Sequence, residues 1–247
     1  MSVRLTSIKY KMKYLSDNNA KTTKGEELGI YTVILYLAPA NESGVINTCQ
    51  FATACIDVCI FRTGRGAMDN VITARVNRTI AFANNPKLFV ENLASDIEEA
   101  QVAANNKGMK LAVRLNGTSD LPWEKLGGFL KVNLMDRFPS VAFYDYTKNA
   151  SRAELYAQGE MPKNYHLTFS RSECNGEDAE RLSLLGVNIA CVFSTAKEDE
   201  LPQTYLGKQV IDGDVTDIRF IDPKGVVVGL RAKGPARKDT SGFVVHI

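Results

Sequence analysis

Apolar residues recur along the chain in two rhythms. Ile30 to Leu37 is a short, β-branched apolar run ended by Ala-Pro-Ala and the polar loop Asn41 to Gly44, which predicts a buried strand. From Asn85, an N-cap followed by Pro86, apolar positions fall at three- and four-residue steps. Phe89, Leu93, Ile97, Ala100 and Ala104 predict a helix that Gly108 ends. An earlier helix starts near Ala67, with Met68, Val71, Ile72 and Ile80 as its apolar face. Beyond Gly108 short apolar runs alternate with helical patterns. Leu111 to Leu115 precedes a helix around Trp123 to Phe138, Val141 to Tyr144 precedes Ser151 to Gln158, and His166 to Phe169 precedes Glu177 to Leu185. Strands at Val187 to Phe193 and Gln209 to Ile211 follow. This beat marks βα units and predicts an α/β fold with a mostly parallel sheet, closed wholly or in part into a TIM-like barrel.

The two ends depart from the beat. Met1 to Tyr14 alternates and carries lysines, so it reads as a strand, and polar Ser16 to Gly25 reads as a mobile surface loop. Residues 1–29 are thus an N-terminal β extension, and 30–247 the βα core of a single domain. Asp222-Pro-Lys-Gly225 predicts a tight turn joining Asp217 to Ile221 with Val226 to Arg231 as a C-terminal hairpin. The 247 residues are 45% hydrophobic and 23% charged, an ordinary globular composition, and a formal net charge of +2 gives no field drawing the whole molecule to nucleic acid or membrane. No apolar stretch approaches the roughly 18 residues of a membrane span, and no apolar signal region follows Met1. Five cysteines, an odd number, argue against a disulfide framework and point to a reducing compartment, the cytoplasm by default.

Three of those cysteines, Cys49, Cys55 and Cys59, fall in one short segment that the turn Gly64-Arg-Gly66 and a basic helix follow. The spacing is neither that of zinc-finger knuckles nor that of four-cysteine ferredoxin runs, so it suggests three thiolates around a metal with one open position. The competing reading makes Cys55 and Cys59 small core hydrophobes. Arg62, Arg65, Arg75 and Arg78 flank the segment, where bidentate pairing would hold a carboxylate or phosphate beside the metal. In parallel folds ligands bind beyond the carboxyl ends of the strands. The richest polar clusters there are Asn116 to Asp120 and Asp145 to Lys148, with Ser170 to Glu173 and Ser194-Thr195 as plainer ones. Asp212, Asp214 and Asp217 form a weaker candidate for a hard divalent cation. His166 would close a structural zinc site as a fourth ligand.

Several stretches together resemble the phage-encoded gene 88 protein family. They are the cysteine segment with Gly64 to Gly66 and Ala74-Arg75, Arg114 to Asp120, Tyr144 to Lys148, Tyr165 to Ser170, Asp212-Gly-Asp214 and Gly229 to Gly234. The likeness implies a phage or prophage setting, hence a host-cell cytoplasm, and lends no mechanism. In layout the chain is also similar to radical S-adenosylmethionine enzymes, which carry three cysteines in the loop after the first barrel strand. It departs from them in spacing and in having Val58 before Cys59. That resemblance implies a [4Fe-4S] cluster on Cys49, Cys55 and Cys59, with S-adenosylmethionine on its open iron. Asn116, Ser119, Asp120 and Arg75 would then bind the cofactor, and Tyr144, Asp145 and Lys148 would face a small-molecule substrate as catalytic residues. Two alternatives stand beside this enzyme. One is a zinc-stabilised phage protein whose arginines contact nucleic-acid phosphates, and the other is a non-catalytic binder of a host protein.

Overall fold

A computed structural model describes residues 13–17, 20–126 and 133–247. In chain order the elements are β1 (Leu15–Ser16), α1 (Ala20–Glu26), β2 (Ile30–Leu35), α2 (Asp69–Asn84), α3 (Pro86–Asn106), β3 (Lys110–Arg114), α4 (Leu134–Arg137) and β4 (Ala142–Thr147). Then come α5 (Ala150–Ala157), β5 (Tyr165–Ser170), α6 (Gly176–Leu184), β6 (Ile189–Phe193), β7 (Thr204–Tyr205), β8 (Lys208–Asp212), β9 (Val227–Arg231) and β10 (Val244–Val245). The strands form one sheet in the order β1-β2-β3-β4-β5-β6-β9-β8-β7, and β10 adds to the upper half of β6. Every pairing from β2 to β8 is parallel, as the alternating pattern predicts.

The sheet is open, which corrects the expected barrel. Closure would require β2 to meet β8, but both of those edges are occupied. β1 runs antiparallel along β2, pairing Leu15 with Leu35. A two-residue hairpin lays β7 antiparallel on β8, with Leu206 and Gly207 both at positive φ, as a type I′ turn requires. Across the gap lie α1, in place of the expected mobile loop, and the segment after β8. The Lys24 ammonium donates to the Asp214 carbonyl, and Gly25 abuts Ile218 so closely that a Cβ there would lie 2.9 Å from it. The C-terminal hairpin is also corrected. Gly225 takes the expected turn at φ 70°, but Arg219–Ile221 form a 3-10 turn, and β9 pairs in parallel with β6 and β8. Ile218 is buried against Ile30, Ala112 and Tyr144, so this segment packs across the sheet as filling.

The sheet therefore has two covered faces. Tyr31, Val33 and Leu35 of β2, Leu111 and Val113 of β3, and Phe143 of β4 join the large core under α3. Alternate residues, Ile30, Ala112 and Tyr144, face the filling segment. Helix α3 forms as the pattern predicts, its first turn closed by the Asn85 side chain accepting from Leu88 N–H. The expected apolar face of α2 is only half-buried, because that helix turns Arg75, Thr79 and Phe82 inward instead. Thr79 explains part of this choice: its hydroxyl donates to the Arg75 carbonyl and accepts from Ala38 N–H at the end of β2. Of the helix expected around Trp123 to Phe138, the described residues hold a turn over 123–126 and the short α4, and residues 127–132 lie outside them, as do residues 1–12 of the expected first strand.

Phe89 stacks on Tyr14 at 4.2 Å between ring centroids and also meets Phe82 and Trp123. Phe89→Ala is expected to cost about 3–5 kcal/mol in urea denaturation. Its neighbour Leu88 is half exposed, so Leu88→Ala should stay within about 0.5 kcal/mol of the parent. Equal losses at the two positions would mean that α3 packs on another face.

Candidate functional site

Beyond the carboxyl ends of β2 to β5 lies a cavity of about 150 Å³. Its floor carries Arg114, Asn116 to Asp120, Tyr146, Thr147, Lys148 and Ser170, and its roof is the segment that holds Cys49, Cys55 and Cys59. The fold thus brings the three cysteines to the strand-end clusters named from the sequence. Short 3-10 turns at Ala54–Ile56, Ile60–Arg62 and Gly64–Ala67 shape the roof. Gly66 is required there, because a Cβ would lie 2.8 Å from the carbonyl oxygens of both Ile60 and Phe61. The Cys49 thiol donates to the Thr118 carbonyl at 3.6 Å, and the Cys59 sulfur accepts from Phe61 N–H at 3.5 Å. Burial pushes both thiols above the ordinary cysteine value. Among the described residues no three His, Cys, Asp or Glu side chains are gathered to hold a metal ion.

Several expected site residues support the floor from beneath. Asn116 is fully engaged. Its Oδ1 accepts from Ser119, Leu121 N–H and the Trp123 indole, while its Nδ2 donates to the Leu121 carbonyl and Asp145. Asp145 lies on the helix side of β4, fully buried, and accepts from Asn116 N–H and the Tyr165 hydroxyl. Arg152, 2% exposed, donates to both oxygens of Glu124, to Asp120 Oδ1 and to Thr147 and Tyr165. The second Asp120 oxygen accepts Lys148 N–H. Asn116 and Asp120 are therefore committed to the frame, although both border the cavity. Tyr144 points to the face opposite Asp145, the one Tyr146 and Lys148 share, but lies lower on β4 with its ring 5.7 Å from Phe220 and does not line the cleft.

Of the residues expected to face a substrate, only Lys148 does so, its ammonium donating to Ser170 Oγ at 3.1 Å. Arg114 is a site residue that sequence reasoning missed, and Tyr146 entered only within the cluster Asp145 to Lys148, with no role of its own. The strand period of two, which puts Tyr146 on the Tyr144 and Lys148 side of β4, was the available signal. The Arg114 guanidinium lies 4.8 Å from the Tyr146 ring centre and pairs with Asp217 at 2.7 Å. Burial drives the Tyr146 phenol up to about 12, so it is protonated and a donor at neutral pH.

The remaining candidates disperse. Arg62 pairs with Glu42 on the surface, whereas Arg75 is buried between the rings of Tyr36 and Phe61, at 4.9 and 5.3 Å. Arg78 donates to the Tyr36 carbonyl. Arg62 and Arg65 are exposed and Arg78 half-buried, so burial removes Arg75 from the expected phosphate-contacting group. Asp212 pairs with Arg231, Asp214 with Lys233 and Asp217 with Arg114, which corrects the grouping of the three as a cation site. His166 lines a wider cavity of about 540 Å³ beside Arg219 and Asp222, at the amino end of β5, and cannot complete a cysteine site at the carboxyl end.

A family model described as Gene product 88 matches residues 13–247, nearly the whole chain. No curated protein and no solved structure matches it. Nothing in these comparisons carries the likeness to radical S-adenosylmethionine enzymes, and the open sheet, with Asp145 turned away from the cleft and Tyr144 below it, departs from it. No helix among the described residues is long and apolar enough to cross a membrane.

Arg152→Met strands the buried carboxylates of Asp120 and Glu124 and is expected to cost about 3–5 kcal/mol in urea denaturation. Arg152→Lys should recover only part of this, since one ammonium cannot replace the guanidinium fork. Asp145 is pushed up to about 7, chiefly by burial, from an ordinary value of 3.8. Between those values the folded chain holds a proton that the unfolded chain has released, so this group makes stability fall as pH rises from about 4 to 7. Asp145→Asn should flatten that stretch of the stability curve; an unaltered slope would show that Asp145 is ionised throughout.

Proposed function

The chain belongs to the Gene product 88 family, and we propose that it is a cofactor-binding protein in which Cys49, Cys55 and Cys59 hold an iron–sulfur cluster over the strand-end cleft. The observation that carries this reading is Arg75. Its guanidinium is buried, its Nε and Nη1 have no hydrogen-bond partner, and among the described residues no carboxylate stands in ion-pair range of it. An uncompensated buried cation is costly, and the two aromatic rings around it offset only part of that cost. Its electrostatic neighbours are the Tyr36 phenol and Cys59, and the Phe61 ring that packs on Arg75 belongs to the residue whose N–H meets the Cys59 sulfur. Three thiolates and their cluster would supply the missing negative charge.

The donor set fits such a group. Three cysteine sulfurs would leave one iron of such a cluster without a protein ligand, and a backbone N–H already directed at Cys59 is the kind of contact that would tune its potential. Loading would require residues 49–62 to contract around the metal, the usual coupling of thiolate coordination to local folding. Short 3-10 turns, with only Phe61 fully buried among them, leave room for that adjustment.

Protein made and purified without oxygen is expected to carry iron and acid-labile sulfide with visible absorption, all lost in the Cys49/Cys55/Cys59→Ala triple variant. Arg75→Met should reduce cluster retention by roughly tenfold while circular dichroism stays unchanged. Stoichiometric zinc, or iron that survives in the triple variant, would overturn the cluster.

A further inference from the structure

Across the inner face of β3, β4 and β5, at their carboxyl ends, four polar side chains form a row: Arg114, Tyr146, Lys148 and Ser170. The parallel register sets Thr147 opposite Phe169, so Lys148 and Ser170 leave adjacent strands side by side. From this row we infer a binding site for a small monocarboxylate with an apolar body, held by Lys148, Ser170 and Tyr146 with Arg114 behind them. The inference shares the cleft of the proposed cofactor site and rests on that reading only for what roofs the cleft.

Charge selects the ligand. Arg114 is neutralised by Asp217, and Arg62 at the rim by Glu42. Asp120 spends one oxygen on Arg152 and the other on Lys148 N–H, and Glu173, three residues beyond Ser170, spends one oxygen on Ala54 N–H. Among the described residues no carboxylate makes an ion-pair contact with the Lys148 ammonium, which donates to the Ser170 hydroxyl, lies 5.5 Å from the Phe243 ring and meets Glu173 only at longer range. One cation on the floor has no acid in contact with it, which matches a monoanion. A dianion would bring a charge with no counterpart.

Hydrogen bonding selects the group. Because Lys148 donates to Ser170 Oγ, the serine proton is available to a ligand acceptor, and the Tyr146 phenol is a second donor that has no acceptor among the described residues. Arg114 Nε is buried and has no partner, in a residue only 9% exposed that lines the same cavity. Lys148 and Arg114 can only donate and the two hydroxyls each keep a proton to donate, so the row suits an acceptor. Pro39, Ile56, Ile60 and Phe61 border the rest of the cavity and suit a hydrocarbon or aromatic body. The volume, about 150 Å³, admits on the order of ten water molecules, hence a compact ligand of similar heavy-atom count.

The test is titration calorimetry of the full chain with benzoate, phenylacetate and 4-methylpentanoate, beside benzamide and phenylacetamide as neutral isosteres and inorganic phosphate as a dianion. Saturable binding of at least one carboxylate is expected, with its amide at least tenfold weaker and phosphate weaker than the carboxylate. Lys148→Met should lower carboxylate affinity at least tenfold and Tyr146→Phe severalfold, both with unchanged circular dichroism. Lys110→Met, exposed at the far end of β3, should match the parent. Equal affinity for acid and amide, tighter phosphate, no saturable carboxylate, or parental affinity in both cleft variants would each overturn the assignment. Repeating the titration on the triple cysteine variant separates the two ideas. Carboxylate binding that persists there upholds this site even where no cluster forms, and a loaded cluster without carboxylate binding removes this site alone.

Discussion

Arg152 reaches from α5 into the layer between helices and sheet and donates to Asp120, Glu124, Thr147 and Tyr165, while Tyr165 in turn donates to Asp145. Through these partners one guanidinium ties the loop after β3 to the end of β4 and the start of β5. Buried charges contribute little net stability even when well paired, but removing one partner leaves the others stranded. The network therefore acts mainly on geometry. With Asn116 and Asp120 saturated from below, the strand ends have little freedom to shift, and the side chains left facing the cleft are Arg114, Tyr146, Lys148 and Ser170.

The roof of the cleft is built on a different principle. Residues 49–67 contain no regular helix or strand, only 3-10 turns held by a few backbone bonds and by contacts with the loop after β5, where Glu173 accepts from Ala54 N–H. Gly66 brings this segment down onto its own carbonyls, and Phe61 anchors it to α2 through Arg75. A rigid floor under an adjustable roof is an arrangement that can close over a cofactor without disturbing the sheet. The buried, uncompensated Arg75 marks the side from which negative charge would be attracted.

Much of the fold was legible in the residues. The three- and four-residue steps of α3, its Asn85-Pro86 start and its Gly108 end specify that helix locally, and the apolar runs of β2 to β6 alternate with helices as a parallel sheet demands. Openness was not legible, because β1 and β7 are two-residue strands too short to leave a pattern, yet they occupy the edges that closure needs. The inward face of α2 escaped notice for a related reason: Arg75 and Thr79 look like surface residues until Ala38 and two aromatic rings meet them.

For the candidate site, the sequence alone determined which chemistry is present: three closely spaced thiols, a glycine turn beside them, and polar clusters where the strands run out. These are properties of local composition and spacing. Only the tertiary structure decided which way each side chain points. On β4, Asp145 and Tyr146 are neighbours in sequence but face opposite sides of the sheet, and because both sides are covered, polarity gave no cue to which side borders the cleft. Partner choice was likewise a long-range matter. That Asp120 serves Arg152, Asp217 serves Arg114, and Lys148 meets a serine hydroxyl in place of a contacting acid follows from packing between residues far apart in the chain, which no local spacing encodes.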